Sequence, residues 1–165
     1  CTHRCQDERP DRRSLDPGAD SCRSAGARID LIVRGACMLP AQLPGVTDNI
    51  CVRSVIGRFL EHTRVFYFRS GEQEDLYLSS ADWMNRNMMR RVELAWPVTD
   101  PVLRQQIVDE CLVAYLHDDK DAWTLNADGT YERARHPVTG RGAQNALMGR
   151  YSAPSPAGRT DQGLA

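Results

Sequence analysis

Short apolar runs separated by turn-forming residues dominate the middle of the chain. Residues 28–34 (RIDLIVR) and 51–56 (CVRSVI) are rich in β-branched side chains, which is typical of buried strands. Residues 63–70 (TRVFYFRS) and 74–80 (EDLYLSS) flank a short loop that contains glycine, and they predict an antiparallel hairpin. A further strand is predicted in residues 92–98 (VELAWPV), where the proline marks the end of regular pairing.

Helical periodicity is clearest in one segment, which begins at Asp100 and Pro101 and extends to about His117. Its apolar residues recur at i, i+3/i+4 spacing: Val102, Leu103, Ile107, Val108, Cys111, Leu112 and Tyr115. After this helix, residues 122–134 (AWTLNADGTYERA) predict two strands joined by an Asp-Gly turn. The pattern therefore predicts an α/β (α+β) fold in which a mixed sheet of about four or five strands is flanked by helices.

The two ends of the chain differ from this middle part. Residues 1–24 and 136–165 combine charge, proline, glycine and serine with almost no apolar periodicity. We therefore expect an unstructured segment over residues 1–24, one domain over residues 25–135, and a flexible tail over residues 136–165.

Composition excludes several classes of protein. The net charge is −1 and 41% of the residues are hydrophobic, as in a globular domain. No apolar stretch approaches the ~20 residues that a spanning helix needs, so a membrane-spanning protein is not expected. The six cysteines lack CxxC and Cys/His spacings, which favours reduced thiols, a cytoplasmic location and no metal site. Peripheral attachment to the inner membrane face stays open.

Lys120 is the only lysine among the 21 Lys and Arg, so nearly all of the positive charge is carried by arginine. Codon usage in a GC-rich genome explains such an excess without any function. Alternatively, some arginines bind phosphate, because a planar guanidinium grips a phosphate with two parallel hydrogen bonds. Composition leaves both interpretations open, and only the positions of the arginines can separate them.

Arg34 and His62 lie at the ends of predicted strands, where binding and catalytic residues are common. Arg34 closes the first predicted strand, and α/β sheets bind ligands at the carboxyl ends of their strands. An arginine that only extends its charge into solvent fits the same position. His62 precedes an apolar strand and has Arg58, Glu61 and Arg64 as neighbours, although a packed or solvent-facing histidine is the simpler explanation for such a residue taken alone.

Further polar residues follow the predicted hairpin. Ser80 and Asp82 could orient a histidine through a hydroxyl and a carboxylate. Arg86 and Arg90 share one side of the next segment if it is helical, and with Arg91 they form either a solvated charged face or a phosphate-binding rim. The chain has no GxSxG elbow and no GxxxxGK[ST] loop, which excludes the common serine-hydrolase and P-loop architectures. Any phosphate chemistry would therefore depend on arginine and histidine.

Five segments, in order, resemble the C-terminal catalytic domain of the large, histidine-phosphorylated bacterial polyphosphate kinases. They are IDLIVRGAC (29–37), PGVTDNI (44–50), VRSVIGRFLEHTRVFYF (52–68), DLYLSSADWMNRNMMRRVEL (75–94) and DPVLRQQIVDE (100–110). The resemblance covers residues 25–135. It implies one half of a phospholipase-D-like fold, since residues 62–64 (HTR) and 79–82 (SSAD) are similar to the HxK and GSxN/D elements of that superfamily.

The resemblance also implies a function. Members of the family transfer the terminal phosphate of ATP reversibly to inorganic polyphosphate through a phosphohistidine, which belongs to a preceding domain and has no counterpart among these residues. The implied ligands are ATP or ADP and polyphosphate, with Mg²⁺ that accompanies the nucleotide and takes no ligands from this chain. The full-length enzyme is implied to be a homo-oligomer that does not bind nucleic acid.

Individual residues match the motifs of the family. Arg34 matches the arginine that contacts nucleotide phosphate, and His62 matches a histidine that assists transfer as an acid, a base or an electrostatic aid. Further candidates for the polyphosphate path, or for its support, are Arg58, Arg64, Ser80, Asp82, Arg86, Arg90 and Arg91.

The chain also departs from the family, and two alternatives follow. Residues 1–24 do not match the helix expected before the first strand, and the chain starts at Cys1, so we expect a truncated or frameshifted copy that is inactive in isolation. One alternative is a phospholipase-D-like phosphodiesterase that acts as a dimer. The other is a non-catalytic fragment that associates with the full-length enzyme.

Overall fold

An eight-stranded mixed sheet runs through the part of the chain that the computed structural model describes, which is residues 2–7, 26–133 and 140–152. The strands are β1 (Thr2–Asp7), β2 (Arg28–Val33), β3 (Ile50–Val55), β4 (Val65–Ser70), β5 (Gln73–Ser79), β6 (Ala95–Pro97), β7 (Ala122–Leu125) and β8 (Tyr131–Arg133). Their order in the sheet is β6-β5-β4-β1-β2-β3-β7-β8. Strands β1, β2 and β3 are parallel and the other pairings are antiparallel, which confirms the predicted mixed sheet.

Three helices accompany the sheet in the described residues. Helix α1 is Asn85–Arg90, α2 begins as Pro101–Ile107, and α3 is Ala143–Ser152. Helix α2 continues through a π-helical segment and a last α-helical turn, Val108–Val113 and Ala114–Leu116. The carboxylate of Asp100 accepts hydrogen bonds from the first turn of α2, as predicted from the Asp-Pro pair, so this helix is confirmed.

Apolar side chains cover both faces of the sheet, because alternate residues of a strand point to opposite sides. On β2, Ile29, Leu31 and Val33 join one buried cluster with the loop residues Cys37 and Leu39. The opposite face is covered by α2 and α3; its buried cluster includes Ile32, Val65, Leu112, Tyr115 and Ala143. No helix in the described ranges is long and apolar enough to cross a membrane.

The prediction of unstructured ends was wrong at two places. Thr2–Asp7 form β1, which lies between β2 and β4 in the middle of the sheet. This strand has no apolar alternation, and its position follows from backbone pairing on both sides, which leaves no periodic signal in the sequence. Ala143–Ser152 form α3 within the predicted tail, where few apolar residues mark a buried face. The structure describes only Thr2–Asp7 of the first predicted segment, 1–24. In the predicted tail, residues 136–139 and 153–165 lie outside the described part.

Candidate functional site

The carboxyl ends of β2 and β5 and the start of β4 meet at one edge of the sheet. Strand β1 is parallel to β2 and antiparallel to β4, so β4 begins where β2 ends. This topology brings together Arg34, directly after β2, with His62 and Arg64, directly before β4, and Asp82, shortly after β5. The predicted position of Arg34 at the carboxyl edge is therefore confirmed.

Asp82 lies between two arginines. Its Oδ1 is 2.6 Å from Nε and 2.5 Å from Nη2 of Arg64, and 3.9 Å from Nη2 of Arg34. The three side chains are only 9% to 12% exposed. Two guanidiniums share one carboxylate in a poorly solvated position, where electrostatic interactions are stronger than in water.

Arg64 also connects this cluster to His62. Its Nη2 lies 3.0 Å from His62 Nε2, and its Nη1 lies 3.3 Å from His62 Nδ1. The histidine is exposed, so solvent and ligands can reach the ring. Asp82 was expected to orient the histidine directly; instead it holds Arg64, and Arg64 contacts the ring.

Glu61 precedes His62 and is held from three sides. Its main-chain carbonyl accepts a hydrogen bond from Nη1 of Arg34. Its carboxylate Oε1 accepts hydrogen bonds from the Tyr115 hydroxyl at 2.6 Å and from Gln144 Nε2 at 2.5 Å. Burial raises the pKa of Tyr115, and the hydrogen bond to Glu61 and the charge of that carboxylate raise it further. This phenol therefore stays protonated, as a donor to Glu61, at neutral pH.

Tyr115 and Gln144 were not predicted as site residues. Tyr115 belongs to the apolar face of α2 and gave the same signal as the core residues around it. Gln144 lies in the segment predicted as a tail, and a single glutamine in a polar region carries no pattern. Only the fold brings either residue to Glu61.

Ser80 does not face the histidine, so the prediction that it orients His62 was wrong. Its hydroxyl donates to Glu93 Oε2 at 2.5 Å and accepts from the Leu94 backbone N–H at 3.0 Å. These bonds anchor the segment that leads into β6.

Three of the other predicted arginines, Arg58, Arg90 and Arg91, are exposed and make their described contacts away from Arg34 and Arg64. Arg58 is exposed, and its guanidinium carbon lies 5.5 Å from the centroid of the Phe59 ring. Arg90 is exposed in the last turn of α1, and exposed Arg91 pairs with Glu93 at 3.4 Å. Arg86 belongs to α1 by its backbone, and its side chain is outside the described part of the structure. A contact of these four with polyphosphate stays a prediction.

Thiols, imidazoles and carboxylates are the side chains that bind metal ions in most proteins. Among the side chains that the structure describes, which lie in residues 26–133 and 140–152, no group of three or more His, Cys, Asp or Glu could hold a metal ion. Cys37, Cys51 and Cys111 are free thiols. Burial and the nearby carboxylates of Glu110 and Glu61 raise the pKa of Cys111 to about 11, so this thiol is not an activated nucleophile.

An α/β sheet whose carboxyl edge carries two poorly solvated arginines beside an accessible histidine is typical of domains that bind phosphate groups. The family model described as polyphosphate kinase C-terminal domain 2 matches residues 20–146. The chain therefore belongs to the polyphosphate kinase family, as the resemblance of its motifs implied.

Individual relatives agree with this membership. The chain is 50% identical over 127 residues to a polyphosphate kinase of Paraburkholderia phytofirmans and 49% identical over 127 residues to one of Burkholderia cenocepacia. Each alignment covers 77% of this chain and 18% of the relative, so the chain spans less than a fifth of the length of these relatives. The crystal structure of polyphosphate kinase from Porphyromonas gingivalis superimposes with a TM-score of 0.79 at 34% identity, covering 91% of this chain and 23% of that one.

Proposed function

We propose that this chain is a catalytic domain of a polyphosphate kinase, which transfers the terminal phosphate of ATP reversibly to inorganic polyphosphate. The proposal includes a phosphohistidine intermediate carried by another domain of the complete enzyme. Family membership supports the reaction, and the contacts around Asp82 support the site. The complete enzyme is proposed to be a cytoplasmic homo-oligomer, with ATP, ADP and polyphosphate as its ligands.

The observation that carries the proposal is the convergence of Arg34 and Arg64 beside His62. Phosphoryl transfer depends mainly on positive charge placed around the oxygens of the transferred group. The two guanidiniums come from different parts of the chain and are held by the same Asp82 carboxylate. A phosphate that enters this edge can accept hydrogen bonds from both without requiring them to move far.

His62 is proposed to support the transfer step. The ring is accessible, and Arg64 fixes its position from one side. An imidazole at this place can donate or accept a proton, or stabilise charge on the leaving oxygen. Arg34 and Arg64 then bind and orient the phosphates, and His62 acts on the group that moves.

Mg²⁺ is proposed to arrive with the nucleotide. The two nearest carboxylates, Asp82 and Glu61, are already engaged by arginines and by Tyr115 and Gln144 respectively. The residues of this chain at the site therefore do not form a ready set of Mg²⁺ ligands, and the phosphate oxygens of ATP are the natural ligands for this ion.

Binding of ATP and of polyphosphate to the 165-residue chain, measured by isothermal titration calorimetry, tests the site. We expect Arg34→Ala to weaken binding about tenfold or more, because a charge-assisted hydrogen bond to phosphate is lost. Arg34→Lys should give an intermediate loss, since the charge remains but the two-pronged geometry does not. Arg69→Ala is the matched control, because Arg69 lies at the far end of β4 and is exposed.

Two results would contradict the proposal. The first is a folded chain that binds neither ATP nor polyphosphate. The second is an Arg34→Ala variant whose affinity for both ligands equals that of Arg69→Ala. Hydrolysis of bis(p-nitrophenyl) phosphate that disappears in His62→Ala would instead favour the phosphodiesterase hypothesis.

A further inference from the structure

The side-chain amide of Gln144 forms a two-way pair with the backbone of Phe59. Gln144 Nε2 donates to the Phe59 carbonyl at 2.8 Å, and the Phe59 N–H donates to Gln144 Oε1 at 2.9 Å. The same Nε2 donates to Glu61 Oε1 at 2.5 Å. Gln144 is only 7% exposed, so these bonds are protected from competition with water. One side chain therefore holds residues 59–61, which lead directly into His62.

The approach of Gln144 to this segment depends on a glycine and on a cap. A Cβ atom at Gly57 would collide with the Gln144 amide, so the close contact requires glycine at that position. Asp118, which is 1% exposed, fixes the start of α3 because its Oδ2 accepts from the Ala143 N–H at 2.7 Å. Its Oδ1 accepts from the Asp121 N–H at 2.7 Å, which ties the preceding loop to the same carboxylate. The helix is thus anchored one residue before Gln144.

Glu61 transmits this anchoring to the arginine cluster. Its carboxylate accepts hydrogen bonds from Gln144 and Tyr115, and its main-chain carbonyl accepts one from Arg34. A rotation of the segment 59–61 would therefore move the acceptor of Arg34 and the backbone of His62 together. The side chains of the site and the amide of Gln144 are thereby linked by hydrogen bonds and by the Arg34–Asp82 ion pair.

We propose that Gln144 is a positioning residue, which fixes His62 and Arg34 relative to each other through residues 59–61. The inference rests on the proposed function for its consequence, since the positions matter for binding phosphate. A role limited to attaching α3 to the domain predicts the same contacts but no effect on the His62 ring. The two roles differ in what a spectroscopic measurement at His62 reports.

The experiment compares Gln144→Ala with Asn145→Ala in the 165-residue chain. Asn145 is exposed and follows Gln144 in the same helix, so it controls for effects on α3 in general. NMR gives the hydrogen exchange of the Phe59 amide and the ring resonances of His62, and calorimetry gives the affinity for polyphosphate. Gln144→Met retains the volume of the side chain without its hydrogen bonds, and it separates bonding from packing should the alanine variant fold poorly.

In Gln144→Ala and Gln144→Met, we expect the Phe59 amide to lose protection and the His62 resonances to shift. Polyphosphate affinity should fall about threefold to tenfold, because the phosphate ligands are no longer preorganised. Asn145→Ala should leave all three unchanged. Should the parent chain bind neither ATP nor polyphosphate while Phe59 and His62 still respond, the positioning role stands and the proposed function fails. A His62 signal unchanged in both Gln144 variants would overturn the positioning role, even if the Phe59 amide became exposed.

Discussion

At the scale of single residues, the site depends on charges that are nearly removed from water. Asp82 separates two guanidiniums that would otherwise repel each other, and Nη2 of Arg64 contacts both Asp82 and His62. A buried charge whose partner is removed is costly, while an anion from solution can take the place of that partner. The proposed phosphate site therefore uses two arginines that Asp82 already holds in place.

We expect Asp82→Asn to lower the free energy of unfolding by about 3 kcal/mol, because two poorly solvated arginines lose their shared carboxylate. Urea denaturation measures the loss, and Asp75→Asn on β5 is the control, since Asp75 is exposed. Added polyphosphate should restore more stability to Asp82→Asn than to the parent chain, because binding to the folded state alone stabilises it. Equal stabilisation of the two proteins would argue against an anion site at Asp82.

At the scale of elements, an aspartate carboxylate accepts hydrogen bonds at the start of each of the two longer helices. One aspartate is next to its helix in the sequence, and the other is distant from it. Asp100 caps α2 locally, because its carboxylate accepts from the N–H groups of Val102 and Leu103, two and three residues later in the chain. Asp118 acts across a distance of 25 positions, on the first residue of α3. Helix α2 was therefore predictable from its own sequence, whereas α3 depends on a residue in another loop.

Asp100→Ala and Asp118→Ala should have different consequences for the site. Loss of the Asp100 cap should cost about 1 kcal/mol of stability and leave the affinity for polyphosphate unchanged. Asp118→Ala should cost about 2 kcal/mol, because buried backbone donors lose their acceptor, and should also weaken polyphosphate binding as α3 and Gln144 shift. Denaturant unfolding and calorimetry together measure both quantities. Equal affinities in the two variants would show that α3 does not influence the site.

At the scale of the whole molecule, β1 joins the two halves of the sheet. One side of β1 pairs with β2, which continues to β3, β7 and β8; the other side pairs with β4, which continues to β5 and β6. Arg34 lies on the first half, while His62, Arg64 and Asp82 lie around the second. The relative positions of Arg34, His62, Arg64 and Asp82 therefore depend on the backbone pairing of β1 with both of its neighbours.

Arg4→Pro should destabilise the protein by about 3 kcal/mol or more, because proline removes a backbone N–H from a strand that is paired on both sides. Arg4 faces Asp30 on β2 and Tyr67 on β4 in the register of the sheet. Arg4→Ala keeps the N–H and is the matched control for loss of the side chain, so the difference between the two variants measures the backbone pairing. Thermal unfolding followed by circular dichroism measures both, and the same melting temperature in the two variants would exclude a central β1.

The sequence by itself determined the elements whose signals are local. Strands β2 to β5 follow from apolar runs, α2 from its period and its cap, and the membership of the family from ordered motifs that contain Arg34 and His62. It also placed both of these residues at the ends of strands, where the structure has them.

Tertiary structure decided the rest, for a physical reason. The position of β1 comes from backbone pairing, and the contact of Gln144 with Phe59 joins residues 85 positions apart. Asp82 was singled out in the sequence, but its partner could only be known once β2, β4 and β5 were placed side by side. The spacing of apolar residues shows which face of a segment packs against the core. A single hydrogen bond between distant segments produces no such spacing. The contacts that hold His62 are therefore visible only in the folded chain.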